Sequence, residues 1–326
     1  MNGREIADAF IEAPIVTSFT RFGYEVRRLL GGWTPLDDYD LTDRVIVITG
    51  ATSGLGYAAA EQLAKCGATL VVVGRTVERN EQAVAELTAA TGNRSITQVA
   101  ADMGDLRQVR RLAERVLTDH DRLDVLIHNA GALDPERRVA PDGIEATVAS
   151  QVVGPFLLTS LLLDRLAASA MSRVLTMSSG GMYATGLAVA DLAMSAEEYN
   201  GTEQYARAKR AQVTLNEMWA ERYGDRGVMF HALHPGWADT PGVDAGLPNF
   251  AKVMGPFLRT PEQGADTLVW LAADDEPLES NGSFWLDRGQ RSIHKLPTTR
   301  RTDTPDRREQ LWCWVVEAAE LGPVRS

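Results

Sequence analysis

Cysteine is nearly absent from the 326 residues: only Cys66 and Cys313 occur, far apart and outside any metal-ligand spacing. That argues against a disulfide framework and against a zinc site, and it fits a reducing, cytoplasmic setting. Basic residues are also short, with 33 Lys and Arg against 44 Asp and Glu, a formal net charge of −11 and a pI near 5.0. A chain with no basic surplus has little to neutralise phosphates with, so no nucleic-acid partner is expected. The N-terminus lacks the basic start, apolar run and small-residue cleavage site of a secretory signal. No run approaches the ~20 apolar residues of a membrane span. No internal repeat or low-complexity tract is present. What remains is a composition that is 44% hydrophobic and can bury a sizeable core.

Glycine, by contrast, is concentrated where it matters. From Arg44 to Arg75 the chain reads as a strand, a glycine-rich turn, a helix and a second strand. Val45 to Ile48 is a short apolar, β-branched run suited to a strand buried on both faces of a parallel sheet. The turn carries Thr49, Gly50, Ser53, Gly54, Leu55 and Gly56. Glycine allows a tight turn and a close approach of backbone amides to a pyrophosphate, while the following helix offers its positive end. Three glycines alone are a weak signal; their place between strand and helix in one βαβ unit gives them weight.

Further on, helical and strand periodicities alternate. Helices are expected over 78–90, 105–117, 143–166, 205–223 and 262–272, the last capped by Thr260 with Pro261 in its first turn. Strands are expected over 95–100, 123–128, 173–177, 228–234 and 283–286. This alternation predicts an α/β fold, a single domain built on a doubly wound parallel β-sheet flanked by helices, with ligands outside the carboxyl ends of the strands. Thr49, Arg75, Asp102, Asn129 and Ser179 all fall at those ends. The stretch 241–260 reads as a mobile flap over them. The domain spans 44–296.

Residues 1–43 form an N-terminal helical arm. Phe10, Ile11, Ile15, Val16, Phe19, Phe22 and Tyr24 give one or two short amphipathic helices broken at Pro14 and ending at Gly31-Gly32. Two readings of that arm stay open: packing on the domain or on a neighbouring subunit in a homo-oligomer, or peripheral contact with a membrane surface, since Arg21, Arg27 and Arg28 flank the aromatics. Residues 297–326 read as a polar, basic surface tail followed by a helix over 308–321.

Tyr205 and Lys209 lie one helical turn apart on one face. A tyrosine with its ordinary pKa of about 10 is a poor acid–base group at neutral pH. A neighbouring ammonium lowers that value. The pair follows a strand ending in Ser178-Ser179.

Together T-G-x-x-x-G-x-G, Asn129-Ala130-Gly131, Ser179 and Y-x-x-x-K resemble the short-chain dehydrogenase/reductase superfamily, over roughly residues 42–290, and so imply a Rossmann fold. The resemblance implies that Ser179 hydrogen-bonds the substrate oxygen, Tyr205 exchanges a proton with it, and Lys209 holds the nicotinamide ribose and lowers the tyrosine's pKa. It also implies that Thr49, Gly50, Ser53, Gly54, Leu55 and Gly56 hold the cofactor's phosphates, with Asp102 and Met103 at the adenine and Asn129, Ala130 and Gly131 beside the ribose. Pro235, Gly236 and Thr240 match the loop that contacts nicotinamide and diphosphate. One position departs: where the family has an asparagine that bends its helix and holds a proton-relay water, this chain has Gln151, aligned on Gly154. The amide is kept but reaches one methylene further.

The second strand ends in Arg75 with no acid before Glu78. An arginine there suits a 2′-phosphate, so NADP(H) is favoured over NAD(H), with Ser53 and Arg79 as helpers. The S-S-G-G-M run at 178–182, Y-A-x-x-K-R at 205–210, the H-P-G-W-A-D-T-P-G-V loop and D-R at 287–288 are similar to the retinol-dehydrogenase-like branch, and to its dehydrogenase/reductase member 12 group. The expectation is therefore an NADP(H)-dependent oxidoreductase acting on the carbonyl or alcohol carbon of a lipophilic small molecule. Met182, Leu187, Trp237, Leu247, Phe250, Met254 and Phe257 are its lining candidates. A rival from another class stays open: a cofactor-binding regulatory or scaffold protein with weak or no catalysis, for which Gln151 is the only sequence support. An epimerase or dehydratase of the extended superfamily is disfavoured by the glycine spacing.

Overall fold

A computed structural model describes residues 8, 10–12, 15–240, 242, 246 and 248–321. The expected break at Pro14, and the calls on Pro241 and Leu247, lie outside the described residues. Two arm helices, α1 (Ile15–Phe19) and α2 (Arg21–Gly31), precede the sheet, and α2 stops where Gly32 turns left-handed at φ 58°. The βα alternation follows: β1 (Val45–Thr49), α3 (Gly54–Lys65), β2 (Thr69–Gly74), α4 (Val77–Thr91), β3 (Ile96–Ala100), α5 (Leu106–Asp119) and β4 (Val125–His128). Next come α6 (Gly154–Ala168), β5 (Ser172–Met177), α7 (Gly201–Tyr223) and β6 (Val228–Leu233). The chain ends with α8 (Pro248–Met254), α9 (Pro261–Ala273), β7 (Phe284–Leu286), β8 (Gly289–Arg291), α10 (Pro297–Thr302) and α11 (Pro305–Ala318).

The strands form one sheet in the order β3-β2-β1-β4-β5-β6-β7-β8, parallel throughout except for β8. Two apolar layers cover it. Leu112, Phe156, Leu162, Trp219 and Leu311 bury one face under α5, α6, α7 and α11. Leu63, Leu87, Leu268 and Trp270 bury the other under α3, α4 and α9. Burial on both faces is why the strands read as continuous apolar runs.

Three expectations are corrected. The final strand of the sheet is the antiparallel β8, not 283–286. Asp287 and Arg288, both at φ 53°, make a two-residue turn between β7 and β8, with the paired positive φ of a type I′ hairpin. Neither is the Gly or Asn usual there, and ion pairs of Asp287 to Arg27 and Arg259, and of Arg288 to Asp266, hold the turn instead. The stretch 297–308 lies mostly at the surface, as expected, but it is largely helical, in α10 and the start of α11. Thr304 caps α11 with Pro305 in the first turn, and the segment is fastened by Asp303, whose carboxylate meets Arg210 at 3.4 Å and Arg308 at 2.6 Å. Lastly, 146–168 is long and apolar enough to span a membrane by composition, yet 78% of that window is buried within the fold. It is a core helix.

The arm is divided between buried and exposed side chains. Phe19, Tyr24 and Arg27 are buried against the domain, whereas Phe10, Val16, Phe22 and Leu29 are more than half exposed.

Candidate active site

The carboxyl ends of the strands carry the groups singled out in the sequence. At β1, the buried Thr49 hydroxyl donates to the Ile127 carbonyl at 3.2 Å and accepts from the amides of Asn129 and Ala130, each at 3.1 Å. Asn129 Nδ2 returns to the carbonyls of Thr49 and Gly50. One hydroxyl thus locks the first turn to the end of β4. The turn and α3 are so close that a Cβ on Gly50 would lie 2.7 Å from Ala130 Cα, and one on Gly56 would lie 2.2 Å from the Gly50 carbonyl oxygen. Gly50 and Gly54 also adopt positive φ, 68° and 55°. Ser53 precedes α3, but no side chain caps that helix, so the first-turn amides of Gly54 and Leu55 are free for an anion.

Along the sheet, Arg75 follows β2. It is exposed and has no hydrogen bond or ion pair among the described residues. The Arg79 guanidinium nearby is likewise unengaged. Behind them Asn80 is fully buried, donating to the carbonyls of Gly74 and Val99 and fixing the exit of β2. After β3, Asp102 Oδ1 accepts from Gly104 N at 2.8 Å. Met103 is buried, and its carbonyl sits 2.0 Å from where a Cβ on Gly154 would stand. These residues form one end of a line that runs through β1 and β4 to β5.

At the other end, Ser179 opens a short turn over Gly180–Tyr183, its hydroxyl accepting from Gly181 N at 3.3 Å and lying beside the Tyr205 side chain. Tyr205 is half-buried on α7, and Lys209 is buried one turn on. Lys209 Nζ donates to the Met177 carbonyl at 2.9 Å and lies 5.3 Å from the Tyr205 ring centroid. A Cβ on Gly131 would meet Gln151 Oε1 at 3.0 Å and Lys209 Nζ at 3.2 Å, so both polar tips face the Gly131 backbone. Ser179, Tyr205, Lys209, Gln151 and Gly131 are therefore brought together. Arg75 and Asp102 lie apart from them, toward the β3 edge.

Electrostatics here differ from the expectation in one respect. The Tyr205 pKa is raised, not lowered: burial raises it, and the neighbouring Ser179 side chain opposes that. Burial also pushes the Lys209 pKa down, to about 7.

Gln151 sits where the helical winding changes. It lies in a π-helical turn over Ala149–Val153, between a short helical turn at 146–148 and α6. Its Nε2 donates to the Ala132 carbonyl at 2.8 Å, and its own main-chain carbonyl accepts from Gln212 Nε2 at 2.6 Å. Its buried Oε1 has no hydrogen-bond partner. Behind it lies a cavity of about 30 Å³ lined by His128, Thr159, Gln212 and Trp219 among others, room for about one water. His128 there is neutral, its pKa pushed down to about 3 by burial, with Nε2 2.7 Å from the Thr159 hydroxyl.

The loop after β6 turns at Gly236, φ 74°, whose amide donates to His234 Nδ1 at 3.0 Å. Pro235 and Thr240 flank it, half-buried. No motif or periodicity points to the side chain that clamps this loop. Arg259, 1% exposed, donates to the Pro235 carbonyl at 3.2 Å and forms a two-pronged pair with Asp287. Only the D-R dipeptide at 287–288 pointed to that partner. Of the lining candidates, Met182 and Leu187 are plain core, 0% and 1% exposed. Trp237 and Phe250 pack edge to face at 5.1 Å, and Met254 and the exposed Phe257 follow Phe250 in the chain.

The sequence profile of the short chain dehydrogenase family matches residues 44–247. The chain is 37% identical over 295 residues to dehydrogenase/reductase SDR family member 12 of Homo sapiens, covering 90% of this chain and 91% of that protein. It is 32% identical over 316 residues to retinol dehydrogenase 12 of Bos taurus, covering 94% and 97%. Among solved structures, a protein assigned as a short chain dehydrogenase from Escherichia coli CFT073, in complex with NADPH, superposes with a TM-score of 0.64 at 25% identity, over 78% of this chain and all of that one.

Proposed function

Because this chain belongs to the short-chain dehydrogenase family, on its retinol-dehydrogenase-like branch, and is an oxidoreductase, we propose that it moves a hydride between NADP(H) and the carbonyl or alcohol carbon of a lipophilic small molecule, with Tyr205 as acid and base. The observation that carries this reading is the meeting of the Ser179 and Tyr205 side chains with Lys209 one turn further on the same helix, its Nζ 5.3 Å from the Tyr205 ring centroid.

The residues present fit the cofactor. The uncapped start of α3 suits a pyrophosphate, the missing side chain at Gly131 leaves room beside Lys209, and Arg75 stands free at the end of β2, where a 2′-phosphate would be met. When bound, the nicotinamide supplies or accepts the hydride. Ser179 holds the substrate oxygen by a hydrogen bond that strengthens as charge develops there. In the reduction direction Tyr205 Oη donates its proton to that oxygen, and in oxidation it removes it. Lys209, anchored to the Met177 carbonyl, keeps its ammonium directed at the ribose side of the site. Gln151 Oε1, lacking a partner among the described residues, is positioned to accept a hydrogen bond from Lys209 or from a water, and so to hold the donor through which Tyr205 recovers its proton. Trp237, Phe250 and Phe257 give the flap an apolar surface suited to a lipophilic substrate.

Replacing Tyr205 by Phe tests the assignment. NADPH-dependent reduction of a panel of aldehydes, ketones and steroids should be lost while NADPH binding is kept; retained turnover would overturn it.

A further inference from the structure

The turn over residues 234–237 includes Pro235 and Gly236, which the family resemblance sets against the nicotinamide, and little of it is held by the sheet. The His234 amide still bonds the β7 carbonyl of Trp285 at 3.0 Å. Beyond that point the chain leaves the sheet, and its partners come from elsewhere. Trp237 N donates to the Phe19 carbonyl at 2.7 Å, and the Trp237 carbonyl accepts from Arg259 N at 2.8 Å. Arg259 Nε returns to the same Phe19 carbonyl at 3.1 Å, and Nη2 to the Ser18 carbonyl at 2.9 Å. One guanidinium therefore spans arm and turn.

The Phe19 side chain adds a second hold. Its ring, 2% exposed, packs edge to face on His234 at 4.1 Å and on Trp237 at 5.7 Å. It also lies against Gly180, where a Cβ would come within 2.9 Å of its edge. The ring is thus wedged between the turn that follows Ser179 and the turn that follows β6. A third hold fixes the arm. Arg27, 5% exposed, bonds the Ser18 carbonyl at 3.0 Å and Asp287 at 2.7 Å, and Asp287 is the carboxylate that orients Arg259.

We propose that Phe19 is a positioning residue of the active site, and that the N-terminal arm, fastened through Arg27, Asp287 and Arg259, sets the 234–237 turn for the nicotinamide half of the cofactor. This rests on the oxidoreductase reading above for what the turn contacts, but not for the positioning itself. The adenosine half, at Arg75 and Asp102, lies at the far side of the sheet and is outside the arm's reach. A residue that merely stabilised the fold would affect both halves alike; a positioning residue affects one.

The test compares the wild-type protein with Phe19→Ala, Phe19→Leu and Arg27→Lys. Dissociation constants are measured for NADPH and for 2′-phospho-ADP-ribose, which lacks the nicotinamide, and amide hydrogen exchange is followed across the chain. In Phe19→Ala, NADPH should bind about tenfold more weakly while the fragment binds as before. The amides of Gly236 and Trp237 should exchange faster, with those of β1, β4 and β5 unchanged. Phe19→Leu, which refills most of the wedge, should restore both readouts. Should Phe19→Ala not fold, Arg27→Lys carries the test, because it keeps the charge beside Asp287 but loses the donor fork, and the same split is expected in smaller measure. Unchanged exchange at 236–237, or equal weakening of both ligands, overturns the proposal. Failure of the oxidoreductase reading would look different: the wild-type protein would bind NADPH no better than the fragment and show no turnover, while the exchange result would still decide what Phe19 does.

Discussion

Lys209 Nζ stands 5.3 Å from the ring centroid of Tyr205, close enough to couple to it, yet burial holds the lysine's own pKa near 7. Two groups that the chemistry needs charged at different moments are thus both penalised for charge in the free protein. Binding of a ligand that offers hydrogen-bond acceptors to the ammonium relieves part of that penalty.

The depressed lysine has a signature in stability. In the unfolded chain Lys209 keeps its proton up to its ordinary value of 10.5, whereas in the folded protein it releases it near 7. Between those values the unfolded state binds more protons, so stability must rise with pH there, by at most about 1.4 kcal/mol per unit. Below about 7 both states are protonated and the contribution to the slope vanishes. Urea unfolding of the wild type and of Lys209→Met at intervals from pH 6.5 to 9 should show the wild type gaining relative to the variant. Parallel curves would mean that Lys209 stays charged.

Arg75 offers a test of cofactor choice that leaves the chemistry alone. Its guanidinium is exposed and unengaged among the described residues, so removing it breaks no contact of the fold. A charge-assisted hydrogen bond is worth about 1.5–3 kcal/mol, or roughly tenfold to a hundredfold. Arg75→Ala should weaken NADP+ by that factor and leave NAD+ binding unchanged, both read by fluorescence titration. Equal loss for the two nucleotides would remove the 2′-phosphate from the argument.

Much of this was legible in the chain. The strands buried on both faces announce themselves as apolar runs, and the glycine turn, Asn129, Ser179, Tyr205 and Lys209 carry fixed local spacings that survive without coordinates. Less visible were groups whose meaning depends on distant partners. Arg259 sits between two turns with no periodicity around it, and only the fold brings it to Asp287, Pro235 and Phe19. Lys209's low pKa was hidden for the same reason, since desolvation is set by packing and not by its neighbours in sequence. Thr304-Pro305 was a readable helix start, overlooked because the basic residues around it suggested a solvated tail.

Gln151 tests whether the proton path tolerates the longer amide. Gln151→Leu keeps much of the volume but removes both the Nε2 bond to Ala132 and the unpartnered Oε1 that faces Gly131 beside Lys209. Removing a group that only positions the proton path can cost about 10²-fold in rate. kcat should fall by about that factor with the dissociation constant for NADPH unchanged. A variant that turns over like the wild type would place the relay elsewhere.

Asp303 carries a prediction about stability instead of chemistry. Its side chain is 1% exposed and faces Arg210, fully buried, and Arg308. Arg210 lies directly after Lys209 on α7, and its guanidinium also reaches the Ile293 carbonyl and the His294 ring, so it joins α7 to the C-terminal segment. Burial already pulls the Arg210 pKa down, with Asp303 the largest opposing influence. Replacing Asp303 by Asn keeps the shape but strands that cation in the interior, which costs about 3 kcal/mol or more. Urea unfolding should report a loss of that size. Because the penalty comes from the uncompensated charge, the double variant Asp303→Asn with Arg210→Met should recover part of it, and the coupling between the two sites can be read from the four proteins of the cycle. Additive losses would mean that the two residues stabilise the chain independently and that the C-terminal segment is held by α11 alone.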